Sequence, residues 1–370
     1  MQIIKFSRQL STPKQAEVVA QVVTSLRQGG LIIYPTETVY GAGVDATNQQ
    51  AVDKLLSYKA RREGKPLSIA VTDQKMAQEY VQLTKQAKSI YQQFLPGPVT
   101  VVSAVKPQAN LAKGVASEFN TLGIRIPDYP LILNLVNALG QPITSTSANP
   151  SGGRRPYQVN DILEQLSTKQ KNLIDLIIDA GPLPPREPST VIDTTLSTPL
   201  TVRSGQVTQT KPSTQLISEN EQETKQIAGK LLLKNWNKLK IQGLVIGLNG
   251  SLGAGKTIFA KGLAEFLQIK GIITSPTYTY LKEYSYQRHQ TQGKLYHLDM
   301  WKIDSQVQLD SLKIKKLIAP TNLVVIEWWS QVKQFFPKPD NLITVEIEGL
   351  DSAPVPEPSQ KKRKLTIQNA

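Results

Sequence analysis

The segment "GSLGAGKT", residues 250–257, has the spacing G-x-x-x-x-G-K-[ST]. Glycines at 250, 253 and 255 let the backbone curl so that successive N–H groups aim at phosphate oxygens. The helix that follows adds its positive N-terminal end. In such a loop Lys256 reaches the terminal phosphates and the Thr257 hydroxyl holds magnesium. Gly250, Gly253, Gly255, Lys256 and Thr257 are therefore an expected ATP-binding set. Hydrolysis also needs an acidic magnesium ligand and a group that orients water. Asp299 follows the apolar "LYHL" and Glu327 follows "NLVVI", so both are candidates at strand ends beside the loop.

A second set of chemistry-bearing residues is scattered over the first 205 positions. "YPTETVYGAG" supplies Thr36, Thr38 and Tyr40, and "SYKARREGKPL" supplies Lys59, Arg61, Arg62 and Lys65. "TLGIRIP" carries Thr121 and Arg125, and "TSTSANPSGG" carries Ser145, Ser147, Asn149 and Ser151. Ser189 in "PSTVID" and Arg203 in "VRSG" complete it. Taken singly, the hydroxyl and amide clusters are turn-formers and "KARREGK" is a solvated face. Taken together they suit an anion-rich ligand. Guanidinium and ammonium groups match phosphate and carboxylate, while hydroxyls and amides match an amino acid's polar groups and a ribose.

Composition narrows the chemistry. Of 370 residues 39% are hydrophobic and 19% charged, the balance of a globular chain with room for two cores. The chain has no cysteine, which excludes disulfides, thiolate zinc sites and cysteine nucleophiles and fits a reducing, cytoplasmic setting. His289 and His297 are the only histidines, so no histidine triad can form in the first 288 residues. No apolar run is long enough to span a bilayer, and "MQIIKFSRQLSTPKQ" lacks the apolar core of a secretory signal. A net charge of +14 favours nucleotides, polyphosphate or RNA as partners.

The elements that must carry these residues form two α/β blocks. In the first, "GGLIIYPTE", "GPVTVVSAV", "IRIP", "QPITSTS", "LIIDAG" and "STVID" read as strands. "TPKQAEVVAQVVTSLRQG" and "LILNLVNALG" have helical periodicity. No regular βαβ repeat emerges, which predicts a mixed sheet. The polar "GQVTQTKPSTQLISENEQET" separates this block from "ETKQIAGKLLLKNWNKL", a helix, and "GLVIGLNG", a strand feeding the glycine loop. Strands "KLYHLDM", "NLVVIEWW" and "LITVEIEG" follow. The expected division is 1–207 and 218–350 as domains, 208–217 as linker, and 351–370, with its "KKRK", as a disordered basic tail. On this reading the loop follows the first strand of its own domain.

The second block resembles TsaE, the small P-loop ATPase of bacterial tRNA threonylcarbamoyladenosine (t6A) synthesis. The matching stretches are "GSLGAGKT", "SPTYTYLKEY", "YHLDMWKI" and "VVIEWW", in the family's order. The resemblance implies that Thr257 and Asp299 bind Mg2+, that Glu327 supports hydrolysis, and that Thr277 lies in a switch-like segment. Two positions depart from the pattern: Trp301-Lys302 stands where tyrosine-arginine is usual, and Ile258 where a second threonine is usual.

The first block resembles the YrdC-type threonylcarbamoyl-AMP synthase, TsaC. The motifs are "PTETVYG", Lys59 and Arg61 with Lys65-Pro66-Leu67, "PGPVT", "RIP", "TSAN-x-SG", "STVID" and "RSG". Arg62 departs from the pattern, since proline usually follows the arginine there. The resemblance implies a twisted mixed sheet with a basic cavity, and an L-threonylcarbamoyladenylate synthase, a nucleotidyltransferase that turns L-threonine, bicarbonate or CO2, and ATP into threonylcarbamoyl-AMP and pyrophosphate. The substrate supplies the nucleophile, so the absence of cysteine and histidine is no obstacle. Lys59, Arg61, Ser147 and Asn149 are then expected at ATP, joined by Thr121 and Arg203, with Lys59 and Arg61 catalytic. Thr36, Lys65, Arg125, Ser145 and Ser189 are expected at threonine.

Together the halves read as a fusion serving one pathway. Its partners would be the separate TsaD–TsaB transferase and, through that complex, tRNA, with no membrane involved. Three other readings stand beside it: a single enzyme whose P-loop drives chemistry in the first block, a basic double-stranded-RNA-binding protein with an accessory ATPase, and a carbamoyltransferase relative. The last usually carries zinc-finger and acylphosphatase-like segments, which this sequence lacks.

Overall fold

The computed structural model describes residues 1–7, 9–59, 67–150, 153–197, 199–203, 205, 213–276, 279–301, 303, 309, 312–335, 341–350 and 360–369. The chain separates into two units, Met1–Thr195 with Thr201–Gln209, and Leu196–Leu200 with Thr210–Ala370.

Two mixed sheets build the first unit. One runs Gln2–Lys5, Leu176–Asp179, Ile32–Tyr34, Gly41–Gly43, Thr146–Ser147, parallel over its first three strands and antiparallel over the rest. The other runs Leu200–Arg203, Thr190–Asp193, Val99–Val105, Thr121–Arg125, Ser68–Ala70, Ile143–Thr144, with Val81–Gln82 beside Val99–Val105. Ser145 is the single residue between Ile143–Thr144 in one sheet and Thr146–Ser147 in the other, so it stands where the chain crosses between them.

The helix Thr12–Arg27 opens with proline in its first turn and buries Val18, Val22, Val23 and Leu26. Those positions share one helical face. They join a core with Leu131, Ile132, Leu135 and Val136 of the helix Pro130–Leu139. The latter stops at Gly140, whose left-handed φ of 73° lets its N–H close on the Val136 carbonyl. Both helices agree with the sequence reading. Helices Gln49–Lys59, Gln74–Tyr80 and Lys85–Phe94 are additions to it.

One seven-stranded sheet forms the second unit, in the order Ser213–Ser218, Arg363–Asn369, Leu342–Gly349, Leu244–Asn249, Leu323–Glu327, Thr291–Asp299, Leu281–Arg288. Its three central pairings, among the four strands from Leu342–Gly349 to Thr291–Asp299, are parallel, and the flanking strands are antiparallel. Buried Val245, Ile246, Val324, Val325 and Ile326 make the inner strands continuous apolar runs, as a covered parallel sheet requires. The helix Glu221–Lys234, capped by the Asn220 side chain on the Glu223 N–H, lies against the helix Lys256–Phe266. Their approach is close enough that a Cβ on Gly262 would sit 2.5 Å from the Lys225 Cα. Among the described residues no helix is long and apolar enough to cross a membrane.

Three expectations are corrected here. Residues 363–369, expected within a disordered tail, form a strand paired on both sides. Arg363, Leu365 and Ile367 alternate into the interior while Lys364 and Thr366 alternate outward, which is the two-residue period of a strand. The expected linker 208–217 overlaps the strand Ser213–Ser218, whose partner is that same C-terminal strand. The glycine loop consequently follows the second strand of its unit in chain order, and the strand that feeds it is central in the sheet.

Candidate functional site

The loop 250–255 joins the strand Leu244–Asn249 to the helix Lys256–Phe266. Gly250, Gly253 and Gly255 hold φ of 142°, 75° and 114°, values that side chains with a Cβ rarely adopt. Lys256 is 5% exposed, and its Nζ donates to the carbonyls of Gly250 at 2.8 Å and Ser251 at 2.9 Å. The ammonium also lies 3.8 Å from the centre of the Trp328 ring, a cation–π contact. Burial draws its pKa below the ordinary lysine value, and the carboxylates of Glu327, Asp299 and Glu346 pull it back up.

The two expected carboxylates arrive beside this loop through strand register. Asp299 and Glu327 are Cα partners across neighbouring parallel strands, and Glu327 in turn partners Leu248 of the strand that feeds the loop. All three strands therefore end on the same edge, the carboxyl edge where open α/β sheets bind ligands. Thr257 Oγ1 donates to Glu327 Oε1 at 2.9 Å, and the same oxygen lies 2.9 Å from His297 Nε2. Asp299 accepts from Ser275 Oγ at 2.7 Å and from the Trp301 N–H at 3.0 Å.

Four residues here were not singled out by sequence. His297 is fully buried, and among the described residues its Nδ1 has no hydrogen-bond partner. Trp328 sits at φ 60° immediately after Glu327, and Ser275 and Arg363 complete the group. The first three lie inside the stretches "YHLD", "EWW" and "SPTY", so motif neighbours were the only available signal. Thr277 lies outside the described residues.

Among the described residues no cluster of three or more His, Cys, Asp or Glu side chains is placed to hold a metal ion. The oxygen donors present nevertheless suit magnesium, which takes one or two carboxylates and completes its shell with phosphates and water. Thr257 gives its proton to Glu327, which leaves its oxygen lone pairs for such an ion, and Asp299 stands on the adjoining strand.

In the first unit the expected residues fall into three linked groups. Lys59 ends the helix Gln49–Lys59, and its Nζ donates to the carbonyls of Ser147 at 2.7 Å and Asn149 at 2.6 Å. Burial lowers its pKa to about 8. Asn149 donates to the Gly153 carbonyl at 2.8 Å, while its buried Oδ1 has no partner among the described residues.

Arg125 ends the strand Thr121–Arg125 and forms a buried ion pair with Glu37. Tyr34 and Ser145 adjoin this pair. Burial pushes the Tyr34 hydroxyl up to about 12, Ser145 and Arg125 draw it back, and Glu37 adds to the rise. Thr36 Oγ1 donates to the Val39 carbonyl at 2.6 Å and accepts from the Thr38 N–H at 3.1 Å. The hydroxyl thus closes the turn that presents Glu37.

Ser189 Oγ accepts from Arg203 Nη2 at 2.8 Å, and Arg203 Nε donates to the Ser189 carbonyl at 3.0 Å. Burial lowers the Arg203 pKa, and the charge of Arg125 lowers it further, which ties this group to the last. Thr121 opens the strand that Arg125 closes, and its hydroxyl lies 2.8 Å from that of Ser117 rather than with the other candidates. Arg61, Lys65 and Ser151 lie outside the described residues.

Glu37 was missed, although it stands inside "PTET", because its partner is 88 residues away. Arg186, whose Nη1 donates to the Glu37 carbonyl at 3.2 Å, was missed likewise. Removing one partner of a buried ion pair leaves an uncompensated charge, typically at about 3–5 kcal/mol. Glu37→Ala is therefore expected to destabilise the first unit by that order. Calorimetry checks it, with tryptophan fluorescence marking the other transition, since Trp236, Trp301, Trp328 and Trp329 all lie in the second unit.

These features define the class: an α/β domain presenting cations and hydroxyls, joined to an α/β domain of P-loop type. Comparison with known proteins gives the family. The Sua5/YciO/YrdC family model, whose description reads "Telomere recombination", matches residues 24–205. The model described as "Threonylcarbamoyl adenosine biosynthesis protein TsaE" matches residues 218–354. A "Putative threonylcarbamoyl-AMP synthase" of Methanocaldococcus jannaschii is 35% identical over 184 residues, covering 50% of this chain and 84% of the relative. A "Threonylcarbamoyl-AMP synthase" of Bacillus subtilis is 34% identical over 191 residues, covering 51% of this chain and 54% of that protein. A crystal structure of P. abyssi Sua5 complexed with L-threonine aligns with a TM-score of 0.51 at 19% identity, covering 88% of this chain and 92% of that one, a likeness of fold alone. The chain belongs to the Sua5/YciO/YrdC family and joins to it a TsaE-family P-loop domain.

Proposed function

We propose that this chain is a cytoplasmic enzyme of t6A synthesis with two ATP sites. The observation that carries the reading is the joining, in one chain, of two family matches whose relatives' names share the threonylcarbamoyl group.

In the first unit L-threonine's amine adds to CO2, supplied as such or from bicarbonate, and loses a proton to give a carbamate. A carbamate oxygen attacks the α-phosphorus of ATP, and the bond to pyrophosphate breaks as threonylcarbamoyl-AMP forms. No side chain supplies a nucleophile. The chain's part is to position the reactants and to place cations where phosphoryl charge builds up. Lys59 and Arg61 serve the α-phosphate region, with Ser147 and Asn149 beside them. Lys59's two carbonyl contacts fix its ammonium at the segment carrying both of those residues. Arg203 and Thr121 belong to the nucleotide. Thr36, Lys65, Arg125, Ser145 and Ser189 hold threonine, and Arg125, already turned toward Glu37, offers its remaining N–H groups to the carboxylate.

In the second unit Gly250, Gly253, Gly255 and Lys256 cradle the phosphates of another ATP. Thr257 and Asp299 hold magnesium, which when bound would neutralise phosphate charge. Glu327 orients water, and its position is fixed by Thr257 and His297, which share one of its oxygens. Hydrolysis there supports the TsaD–TsaB transferase that acts on tRNA. Because the Trp328 ring rests on Lys256, MgATP is expected to change tryptophan emission in the intact chain, and Lys256→Ala to abolish the change.

The decisive assay supplies purified protein with ATP, bicarbonate and each amino acid in turn while following pyrophosphate. Threonine-selective release is the expected outcome. Release that ignores the amino acid sinks the synthase reading.

A further inference from the structure

Arg363 belongs to the C-terminal strand Arg363–Asn369, beyond the 218–354 stretch that the TsaE model matches, yet its head group touches the phosphate loop. The side chain is 2% exposed. Its Nε donates to the Ala254 carbonyl at 3.1 Å, and its Nη1 donates to the Lys361 carbonyl at 2.8 Å and lies 3.5 Å from Thr224 Oγ1. The guanidinium is thus fixed from the residues just before its own strand and from the helix Glu221–Lys234 while it grips the loop.

We propose that Arg363 is a positioning residue for the nucleotide, which sets the loop's shape from behind; the inference rests on reading that loop as an ATP site. The argument is geometric. A trans peptide is planar, with its C=O and N–H pointing in opposite directions. Holding the Ala254 carbonyl on one side therefore aims the Gly255 N–H to the other, into the loop where phosphate oxygens would lie. The donated charge also polarises that peptide and strengthens its N–H as a donor.

Gly255 records the same contact. A Cβ there would sit 2.6 Å from Arg363 Nε and 3.0 Å from its Cδ, so glycine is required by the arginine as well as by the φ of 114°. The loop and the arginine fit only together.

The test uses the full chain and tryptophan fluorescence, which reports the second unit only. MgATP is titrated into wild type, Lys256→Ala, Arg363→Lys, Arg363→Gln and Leu365→Ala, and thermal unfolding is read on the same samples. Leu365 is fully buried two residues along the same strand and serves as the stability control. A lost hydrogen bond to a charged donor corresponds to roughly a tenfold to hundredfold change. Arg363→Gln, which removes the charge, is expected to weaken the Lys256-dependent affinity by about that factor. Arg363→Lys, whose ammonium keeps the charge and can still donate to a carbonyl, is expected to lose less. Leu365→Ala is expected to lower the unfolding temperature while leaving affinity within about twofold.

Arginine variants that bind normally overturn the inference alone, as do variants whose affinity falls only in step with stability along a line shared with Leu365→Ala. A wild type with no Lys256-dependent signal overturns the loop's nucleotide reading as well. Should the arginine variants not fold, the Nε–H resonance of Arg363 in isotope-labelled wild type decides. It is expected to shift on MgATP binding, and a resonance that stays put while ATP binds rejects the proposal.

Discussion

Lys256→Ala is expected to abolish ATP hydrolysis by the chain while threonine- and bicarbonate-dependent pyrophosphate release continues. The lysine is nearly buried, held between two loop carbonyls and an aromatic face, and near Glu327 and Asp299. An ammonium in that position meets the phosphates where charge moves during hydrolysis. Deleting one such preorganised donor typically costs about 10²–10³ in rate. The first unit contains its own cations, Lys59, Arg125 and Arg203, each held by contacts within that unit. Phosphate and pyrophosphate followed in one reaction separate the two sites. Loss of both products would mean that the P-loop drives the chemistry of the first unit, and the two-site reading would fall.

The second large effect concerns pH. Lys59 titrates near 8 because burial disfavours its ammonium form. The cationic form exists below that pH and is lost above it. If this ammonium meets the α-phosphate, kcat/KM for ATP in pyrophosphate release should hold steady up to about pH 8. It should then fall by about tenfold for each further unit. Bound triphosphate favours the ammonium, so the break in kcat should come at higher pH than the break in kcat/KM. Lys59→Arg keeps a cation that does not titrate and should lower the rate while removing the break. A profile that retains its break in the arginine variant would assign the titration to another group or to the substrates, and Lys59 would lose its place.

Much of the second site was legible because its chemistry dictates spacing. A phosphate loop needs glycines and a lysine at fixed intervals, and Asp299 and Glu327 each end a run apolar enough to mark an inner strand. Parallel register then brings those carboxylates side by side without any further sequence signal. Arg363 was hidden for the opposite reason. Its neighbours in "KKRK" are exposed or half-buried charges, and only the alternation of Arg363, Leu365 and Ile367 marks a strand. The contact that gives it meaning spans 109 positions.

In the first unit the hydroxyls and cations were visible as types, but their grouping was not. Glu37 and Arg125 meet only when two strands of different sheets present their ends. Edge elements were the least visible. The strand Leu281–Arg288 reads "LKEYSYQR", with no apolar run, because one side of an edge strand is left to solvent, and its strand partner among the described residues is Thr291–Asp299.

The position of the strand Arg363–Asn369 has a consequence for how the protein is made. Among the described residues Ser213–Ser218 pairs with that strand alone, so it stays unpartnered on a growing chain until residue 369 has left the ribosome. The brace behind the glycine loop arrives in the same late step. The first unit is complete when residue 209 emerges, about 160 residues earlier, and synthesis proceeds at roughly 5–20 residues per second. During that interval of several seconds or more the nascent protein carries a finished first site and an unfinished second one. ATP binding by the second site thus waits on the strand Arg363–Asn369.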